Sequence, residues 1–493
     1  MIQKLLSGRV VGRLRLTIAV SLFLGLHLLP AVSPSAAAGP THILYINADD
    51  LGVMDVGYNE SAFRTPNIDR LARQGMTFTN AYAPAANCAP SRACVHSGQW
   101  PSRHGVYTVG DSRRGKSATR RLIPIQNTKF LPSEKTTLAE ALQSGGYRTI
   151  HLGKYHIGKD PRADGFDVNV GGDQNGSPSG GYYWPWEKSA MAQWTPQAKP
   201  GTHRIDVFAD EAIRFMEANH REPMFIHFSP YLVHSPLTPV PEYVGRYKQR
   251  GVHPAYASMV EKLDQAIGKL LSAIERLHLS DSTLVVFSSD NGGIAAIHSQ
   301  KPLRAGKGSY YEGGVREPMV MRWPGRIEAS STCEQVVNTL DLYPTFLEVA
   351  HLPTPPNTTL DGVSLLPLMS QSGDWTPVDQ YWHFPVYLQA YAGRKDDARD
   401  VLFRTRPGSA IRSGKWKLHE YFEDGVLELY DLDADPGERN NLASSMPDQT
   451  EKLHEQLIAW RKRTAAPVPT VRNREFDPEF EAAQIEKARW RQR

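Results

Sequence analysis

Residues 43–50 read Ile-Leu-Tyr-Ile-Asn-Ala-Asp-Asp, a short apolar run that ends in two carboxylates. An uninterrupted apolar run of this length is typical of a strand buried on both faces. The order strand, polar cluster, helix occurs four times before residue 294. This alternation predicts an α/β fold with a mostly parallel sheet sandwiched by helices, whose functional residues lie at the carboxyl ends of the strands.

Further elements follow from local signals. Short strands are predicted at 76–81, 147–152, 224–229 and 283–288, and helices are predicted at 204–219 and 255–274. Thr65-Pro66 and the capping box Thr137-Leu138-Ala139-Glu140 each predict a helix start. Beyond a linker near 371–374, runs at 409–422 and 427–432 flank Glu423-Asp424-Gly425, a hairpin signal. A helix is expected at 448–463.

These elements predict four segments along the 493 residues. Residues 1–38 form a signal peptide, and residues 39–370 an N-terminal α/β domain. Residues 371–465 form a smaller α+β subdomain built on an antiparallel sheet, and residues 466–493 a charged tail. The chain is long enough for two or more hydrophobic cores.

The N-terminal segment has the pattern of a secretory signal. Four basic residues precede an apolar run at 16–29, and Ala36-Ala37-Ala38 offers a cleavage site. A membrane anchor would need a longer apolar run, and no later stretch is long enough to span a bilayer. We therefore expect a secreted or periplasmic protein. The rest of the chain has 52 basic and 52 acidic residues, so net charge gives no reason to expect nucleic-acid binding.

Cys88-Ala89-Pro90-Ser91-Arg92 indicates a reactive side chain at the start of a helix. Pro90 favours the first helical turn, and both the helix N-terminus and Arg92 attract negative charge beside residue 88. The stretch therefore predicts an anion site. Alternatives are a buried thiol or a Cys88–Cys94 disulfide; Cys333 is the only other cysteine, so Cys94 and Cys333 could also pair or stay free.

Oxygen ligands follow two predicted strands. Asp49 and Asp50 follow the first, and Asp290 and Asn291 follow the strand at 283–288. Carboxylates and an amide suit Ca²⁺ or Mg²⁺ better than zinc, which prefers His and Cys. Each pair alone is also a common turn sequence; together they predict a metal site.

Four further side chains are candidates for the same site. Lys154 and His156 follow one predicted strand, His234 follows another, and Lys307 lies in a glycine-rich loop at 306–314. Glycines let backbone approach an anion closely, although this loop lacks the spacing of a nucleotide-binding P-loop. The alternative interpretations are structural histidines and a plain surface loop.

In their order, these motifs resemble those of the type I sulfatases of the alkaline phosphatase-like superfamily. The Asp-Asp strand end is followed by C-x-P-S-R, G-K-x-H-x-G, H-x-P, S-D-N-G and G-K-G-x-x-x-E-G-G, spanning residues 45–314. The hairpin near residue 415 resembles that family's C-terminal subdomain. The resemblance implies that Cys88 is converted to Cα-formylglycine by a formylglycine-generating enzyme, and that its gem-diol is the nucleophile for hydrolysis of a sulfuric ester.

The resemblance also assigns roles by position. It implies that Asp49, Asp50, Asp290 and Asn291 bind Ca²⁺, or Mg²⁺, together with residue 88. Arg92, Lys154 and Lys307 would bind sulfate, and His156 and His234 would transfer protons. Secreted bacterial relatives of this type act on sulfated polysaccharides, so we expect a sulfated carbohydrate or a small sulfate ester as substrate.

Two other functions remain open on the sequence alone. One is a phosphomonoester, phosphodiester or phosphonate hydrolase of the same superfamily, and the other is an inactive relative that binds sulfated glycans through Ca²⁺. Cys88 and a single-metal ligand set argue against the first, and the proton-transfer residues argue against the second. Aromatic clusters at 182–186, with Trp194, and at 381–384 could stack on sugars, but packing is the better interpretation.

Overall fold

The computed structural model describes residues 41–59, 61–186, 189, 191–194, 198–391 and 395–492. The predicted signal peptide at 1–38 lies outside these residues. Within the described ranges, no helix is both long and apolar enough to cross a membrane.

The strands, in chain order from β1 to β14, are His42–Ala48, Met76–Tyr82, Arg148–Gly153, Val168–Val170, Met224–Ser229, Thr283–Ser289, Met319–Arg322, Ser331–Asn338, Gln380–Phe384, Leu388–Gln389, Phe403–Thr405, Gly408–Ser413, Trp416–Tyr421 and Leu427–Asp431. The α-helices, from α1 to α12, are Pro66–Arg73, Cys88–Ser97, Pro101–His104, Leu138–Ser144, Arg204–Asn219, Pro241–Val244, Pro254–Arg276, Glu312–Val315, Leu342–Val349, Leu366–Met369, Pro447–Arg463 and Pro478–Gln492.

Eight strands form the central sheet, in the order β4-β3-β5-β1-β6-β7-β2-β8. Among the described strands of this sheet, β7 alone runs opposite to the others. It pairs antiparallel with β6 on one side and with β2 on the other. Separate buried clusters of apolar residues cover the two faces of the sheet. The prediction of a mostly parallel sheet between helices is confirmed.

Strand β1 lies near the centre of this sheet, and all seven of its residues are buried. It pairs in parallel with β5 and with β6, and β5 pairs in parallel with β3. Because parallel strands end at the same edge of a sheet, the residues that follow β1, β3, β5 and β6 are brought together there.

A second, antiparallel sheet follows, in the order β14-β13-β12-β9. Helix α11 packs its Leu453, Leu457 and Trp460 against Ile411 and Leu418 of this sheet. The predicted hairpin forms between β13 and β14. The expected run at 409–422 is two strands, however, because the chain turns at Gly414, whose φ of 56° suits glycine.

Packing accounts for the aromatic clusters. Trp382 lies within β9 and is fully buried, and Tyr182 and Trp186 belong to the core on one face of the large sheet. These side chains are therefore not free to stack on a sugar. From residue 39 onward the chain forms one compact unit, and the borders at 370/371 and 465/466 stay predictions.

Candidate active site

A buried cluster of charged side chains lies at the carboxyl edge of the central sheet. Asp49 follows β1, and both of its carboxylate oxygens accept hydrogen bonds of 2.8 Å from Lys154 Nζ, at the end of β3. The side chains of Asp49 and Lys154 are completely buried. Burial raises the pKa of Asp49 to about 7, although Lys154 acts to lower it.

Arg92 joins this cluster from helix α2. The helix begins at Cys88, so Arg92 lies one turn later on the same face. Arg92 Nε donates to Asp290 Oδ2 at 2.8 Å, and its Nη1 donates to the Lys154 carbonyl at 2.9 Å and to Ser229 Oγ. Its Nη2 is buried and has no hydrogen-bond partner among the described residues. One face of the guanidinium is thus free to bind an anion.

Cys88 lies between a lysine and a carboxylate. Its Sγ is 3.0 Å from Lys307 Nζ and 3.8 Å from Asp50 Oδ1. Burial raises the pKa of the Cys88 thiol to about 12, even though Lys154 and Lys307 act to lower it. The unmodified side chain is therefore a neutral thiol at physiological pH and a poor nucleophile.

The described structure contains no disulfide. Cys88, Cys94 and Cys333 are all buried and free. The Cys88–Cys94 and Cys94–Cys333 pairings are therefore absent, and residue 88 remains available for chemistry.

The expected metal ligands are arranged as a cation would require. Ligand atoms of Asp49, Asp50, Cys88 and Asp290 all lie within 4.8 Å of one another. Asn291 Nδ2 donates to Asp50 Oδ1 at 2.9 Å, which leaves Asn291 Oδ1 buried without a partner among the described residues. An orphaned amide oxygen beside three carboxylates fits a hard divalent cation such as Ca²⁺ or Mg²⁺.

Asp50 is the most connected of these ligands. Its carboxylate accepts from Lys307 Nζ at 2.7 Å, and its backbone N–H donates to Asp290 Oδ1 at 3.2 Å. Burial alone would raise the pKa of Asp50, but Lys307, His234 and Lys154 together hold it below its usual range. The carboxylate is therefore ionised and able to ligate a metal.

The two histidines approach the cluster from separate loops. His234 Nε2 lies 3.8 Å from Asp50 Oδ2, while its Nδ1 lies 2.6 Å from the Ser235 carbonyl. Because a carbonyl can only accept, Nδ1 carries the proton of the neutral ring and Nε2 faces the site. Burial, with Lys307 and Lys154 nearby, lowers the pKa of His234 to about 3.

His156 has a backbone φ of 68° and a buried Nδ1 without a partner among the described residues. Burial lowers its pKa well below the usual value, and the charges of Lys154, Arg92 and Lys307 lower it further. All ten side chains predicted from the sequence therefore gather at one edge of the sheet, although His156 makes no side-chain hydrogen bond to the others.

Two residues at the site were missed at the sequence level. Ser229 ends β5 and accepts a hydrogen bond from Arg92 while donating to the Lys154 carbonyl at 2.9 Å. Its position at a strand end was the available signal. Gly176 lies against the His156 ring, where a Cβ would be 2.4 Å from Cε1. No local pattern marks that requirement, because it depends on a distant side chain.

Family comparison agrees with this geometry. The family model described as Sulfatase matches residues 41–352. The chain belongs to the sulfatase family. A second model, described as N-sulphoglucosamine sulphohydrolase, C-terminal, matches residues 306–463. The family identifies the protein as a sulfuric ester hydrolase with an alkaline phosphatase-like fold.

Individual sulfatases are similar along most of the chain. Human arylsulfatase A is 32% identical, covering 87% of this chain and 89% of its own. Human N-acetylgalactosamine-6-sulfatase is 32% identical and covers 88% of both chains. The crystal structure of Ps i-CgsB in complex with k-i-k-neocarrahexaose superposes with a TM-score of 0.70 at 27% identity, covering 92% of this chain and 98% of that one.

Proposed function

We propose that this sulfatase hydrolyses sulfate esters of a carbohydrate with formylglycine at position 88. The observation that carries the proposal is the placement of Cys88 Sγ, 3.0 Å from Lys307 Nζ at the start of α2, as a neutral thiol. Conversion replaces the Cβ–S bond and one Cβ–H bond by a carbonyl and releases the sulfur as sulfide. This is a two-electron oxidation of Cβ, for which a formylglycine-generating enzyme would use dioxygen, and two further electrons from an external thiol would complete the reduction of dioxygen to water. Hydrated formylglycine supplies two hydroxyls on one carbon, the first to attack sulfur and the second to be deprotonated when sulfate leaves.

Asp49, Asp50, Asp290 and Asn291 would hold Ca²⁺, with Mg²⁺ as the alternative, together with residue 88. Such a cation supplies Lewis-acid stabilisation of charge and lowers the pKa of a bound hydroxyl. The support is the hard oxygen donor set and the orphaned Asn291 Oδ1 described above.

Three cations would bind the sulfate group. Arg92, Lys154 and Lys307 surround residue 88, and Arg92 Nη2 is unpartnered among the described residues. Negative charge grows on the bridging oxygen as the S–O bond breaks, so fixed cations in a buried site stabilise the transition state more than the ground state.

His234 would donate a proton to the leaving alcohol, and His156 would accept the proton whose loss expels sulfate. Both rings have lowered pKa values, chiefly because of burial and secondly because of the nearby lysines. A bound sulfate ester places negative charge beside those lysines, which raises the pKa of His234 toward the range in which it can donate.

The substrate class follows by analogy with relatives. The human relatives include an N-acetylgalactosamine-6-sulfatase, and the Ps i-CgsB structure contains k-i-k-neocarrahexaose. We therefore propose a sulfated carbohydrate substrate. We also propose, from the N-terminal segment, that residues 1–38 are removed and that the protein is secreted or periplasmic. Within it, residues 39–370 would form the catalytic domain, 371–465 the subdomain and 466–493 the tail.

Peptide mass spectrometry tests the central step. In an active preparation, the peptide that contains residue 88 should be lighter by about 18 Da than its thiol form. Full activity from a preparation in which every copy of residue 88 is an unmodified thiol would exclude the proposal.

A further inference from the structure

Two arginines converge beside the site without a counterion. Arg114 Nε donates to the Gln389 side-chain oxygen at 3.0 Å, and Arg404 Nε donates to the Gln389 backbone carbonyl at 3.1 Å. Neither arginine forms an ion pair with a described carboxylate. Burial lowers the pKa of Arg114, and the charge of Arg404 lowers it further. Two like charges held together at a partly buried place are unfavourable unless an anion joins them.

This arginine pair adjoins the candidate active site. Arg404 Nη1 donates to the backbone carbonyl of Lys307 at 3.1 Å, so Arg404 contacts the loop that carries this site lysine. The Arg404 guanidinium lies 3.8 Å from the centre of the Tyr391 ring. Tyr391 is close enough to Lys307 for that charge to act on the pKa of its phenol.

Both guanidinium groups retain free donors. Arg114 Nη1 donates to the Val109 carbonyl, and no partner for the Nη2 of either arginine occurs in the described part of the chain. Two carboxylates lie within longer electrostatic range of the pair. The charge of Asp111 acts on Arg114, and the charge of Arg404 acts on Asp396. Buried Arg120 donates to the Arg113 and Gly115 carbonyls, and so fixes the loop that carries Arg114.

Gln389 and Tyr391, which contact the two arginines, also line a cavity of about 290 Å³. Lys116, Lys487 and Arg491 line it, and none of its described lining residues is acidic. Lys116 Nζ donates to Gln484 Oε1 of helix α12 at 3.1 Å, which joins the two sides of the cavity. Further positive charge therefore lies in a cavity that shares Gln389 and Tyr391 with the arginine pair.

We propose that Arg114 and Arg404, with Tyr391, form a subsite for a second anionic group of the substrate, so that the enzyme acts on saccharides with several sulfates or carboxylates. The proposal rests on the proposed function, because it places the scissile sulfate at residue 88. The free Nη2 donors of the two arginines bind the second anion, and Tyr391 offers its hydroxyl and the ring face opposite Arg404 to the sugar that carries it.

Competitive inhibition of 4-nitrophenyl sulfate hydrolysis tests the subsite. Sucrose octasulfate should inhibit the wild-type enzyme at least about tenfold more strongly than inorganic sulfate, because inorganic sulfate occupies the residue 88 site alone. Arg114→Gln should reduce that ratio by about tenfold, and Arg114→Gln with Arg404→Gln should reduce it further. Arg404→Lys retains the charge and should keep more of the ratio than Arg404→Gln.

The matched control is Arg221→Gln, which removes one exposed positive charge elsewhere on the surface and should leave the ratio unchanged. An unchanged ratio in the double variant would overturn the subsite. If the mature wild-type enzyme hydrolyses neither 4-nitrophenyl sulfate nor a sulfated carbohydrate, the proposed function fails instead. Calorimetric titration of the same protein with sucrose octasulfate then decides the subsite: binding that the double substitution weakens supports it, and equal binding overturns it.

Discussion

Two buried charge clusters can be compared in this sulfatase. The site cluster consists of Asp49, Asp50, Asp290, Arg92, Lys154 and Lys307. The interface cluster, between helix α8 and the small sheet, consists of Glu312, Lys417, His419 and Glu438. Lys417 Nζ lies 2.8 Å from Glu312 Oε1 and 3.3 Å from Glu438 Oε1, with all three side chains fully buried.

The clusters differ in what they leave unsatisfied. In the interface cluster every carboxylate oxygen has a partner, because Tyr82 Oη donates to Glu312 Oε2 and the Glu312 N–H donates to Glu438 Oε2, both at 2.6 Å. At the site, the Arg92 Nη2 and Asn291 Oδ1 atoms are buried without partners in the described chain. Buried polar atoms are normally hydrogen-bonded, so these orphans mark a place for a ligand. The interface cluster also has one orphan in the described chain, His419 Nδ1, but its lysine and both carboxylates are paired, whereas at the site a charged guanidinium nitrogen has no partner. The comparison teaches that paired buried ions hold the fold, whereas an unpaired one is available to a ligand.

The largest expected effect on turnover is that of Cys88→Ser. The serine hydroxyl still has Arg92, Lys154 and Lys307 around it, so it can attack sulfur slowly. The serine sulfate that forms has no second hydroxyl for His156 to deprotonate, so it cannot release sulfate. Rapid-quench assays should show release of about one equivalent of alcohol per enzyme and then none, with sulfate retained on residue 88.

Cys88→Ala is the control for this experiment, since it lacks a nucleophile and should release no alcohol at all. Sustained turnover by Cys88→Ser would show that the assigned roles are wrong.

Asp290→Ala should have the next largest effect. It removes a proposed metal ligand and leaves Arg92 without its carboxylate partner, which is 2.8 Å away. We expect kcat/KM to fall by at least about 10³-fold, and exhaustive chelation of the wild-type enzyme to have the same effect until Ca²⁺ is restored. Elemental analysis of the purified variants should show loss of the metal.

Asp281→Ala is a matched control, because Asp281 is exposed and precedes β6 whereas Asp290 follows it. Full activity of a chelated enzyme shown to be free of metal would contradict the assignment.

Much of the candidate site could be predicted from the sequence, for a physical reason. Strands β1, β3, β5 and β6 are each followed by reactive residues, so local pattern places those residues at one sheet edge. The order of the strands could not be predicted, because pairing depends on long-range packing. Strand β7, Met319–Arg322, is an example, because nothing in its four residues indicates that it pairs antiparallel between β6 and β2. The interface cluster was also missed, since Lys417 and Glu312 are 105 residues apart and neither lies in a pattern that indicates burial of charge.

His234→Ala should have a smaller effect that depends on the substrate. Loss of the proton donor should slow the first step by about 10²-fold or more when the leaving alcohol is a sugar hydroxyl. With 4-nitrophenyl sulfate, whose leaving group needs little protonation, the defect should shrink. Steady-state rates on a series of sulfate esters with leaving groups of different pKa would measure this. Equal losses across the series would remove His234 from the role of proton donor.

The smallest effect on turnover, and the largest on stability, is expected for Lys417→Met. This change removes the lysine that Glu312 and Glu438 share and leaves Arg316, 3.8 Å from Glu312, and His419, 2.9 Å from Glu438, as their remaining ion-pair partners. Breaking a buried pair in this way costs about 3–5 kcal/mol of unfolding free energy. Urea denaturation should show that loss. The kcat/KM of the folded enzyme should stay within about tenfold of wild type, because Lys307 keeps its own contacts to Asp50.

Lys415→Met is the matched control. Lys415 lies two residues before Lys417 and pairs with Asp431 at the surface, so its loss should change the unfolding free energy little. If Lys417→Met folds poorly, Glu438→Gln offers a milder test of the same cluster. Loss of turnover comparable to that of Asp290→Ala, in a variant that remains folded, would mean that the interface cluster positions the Lys307 loop, and the distinction between a cluster for folding and a cluster for catalysis would fail.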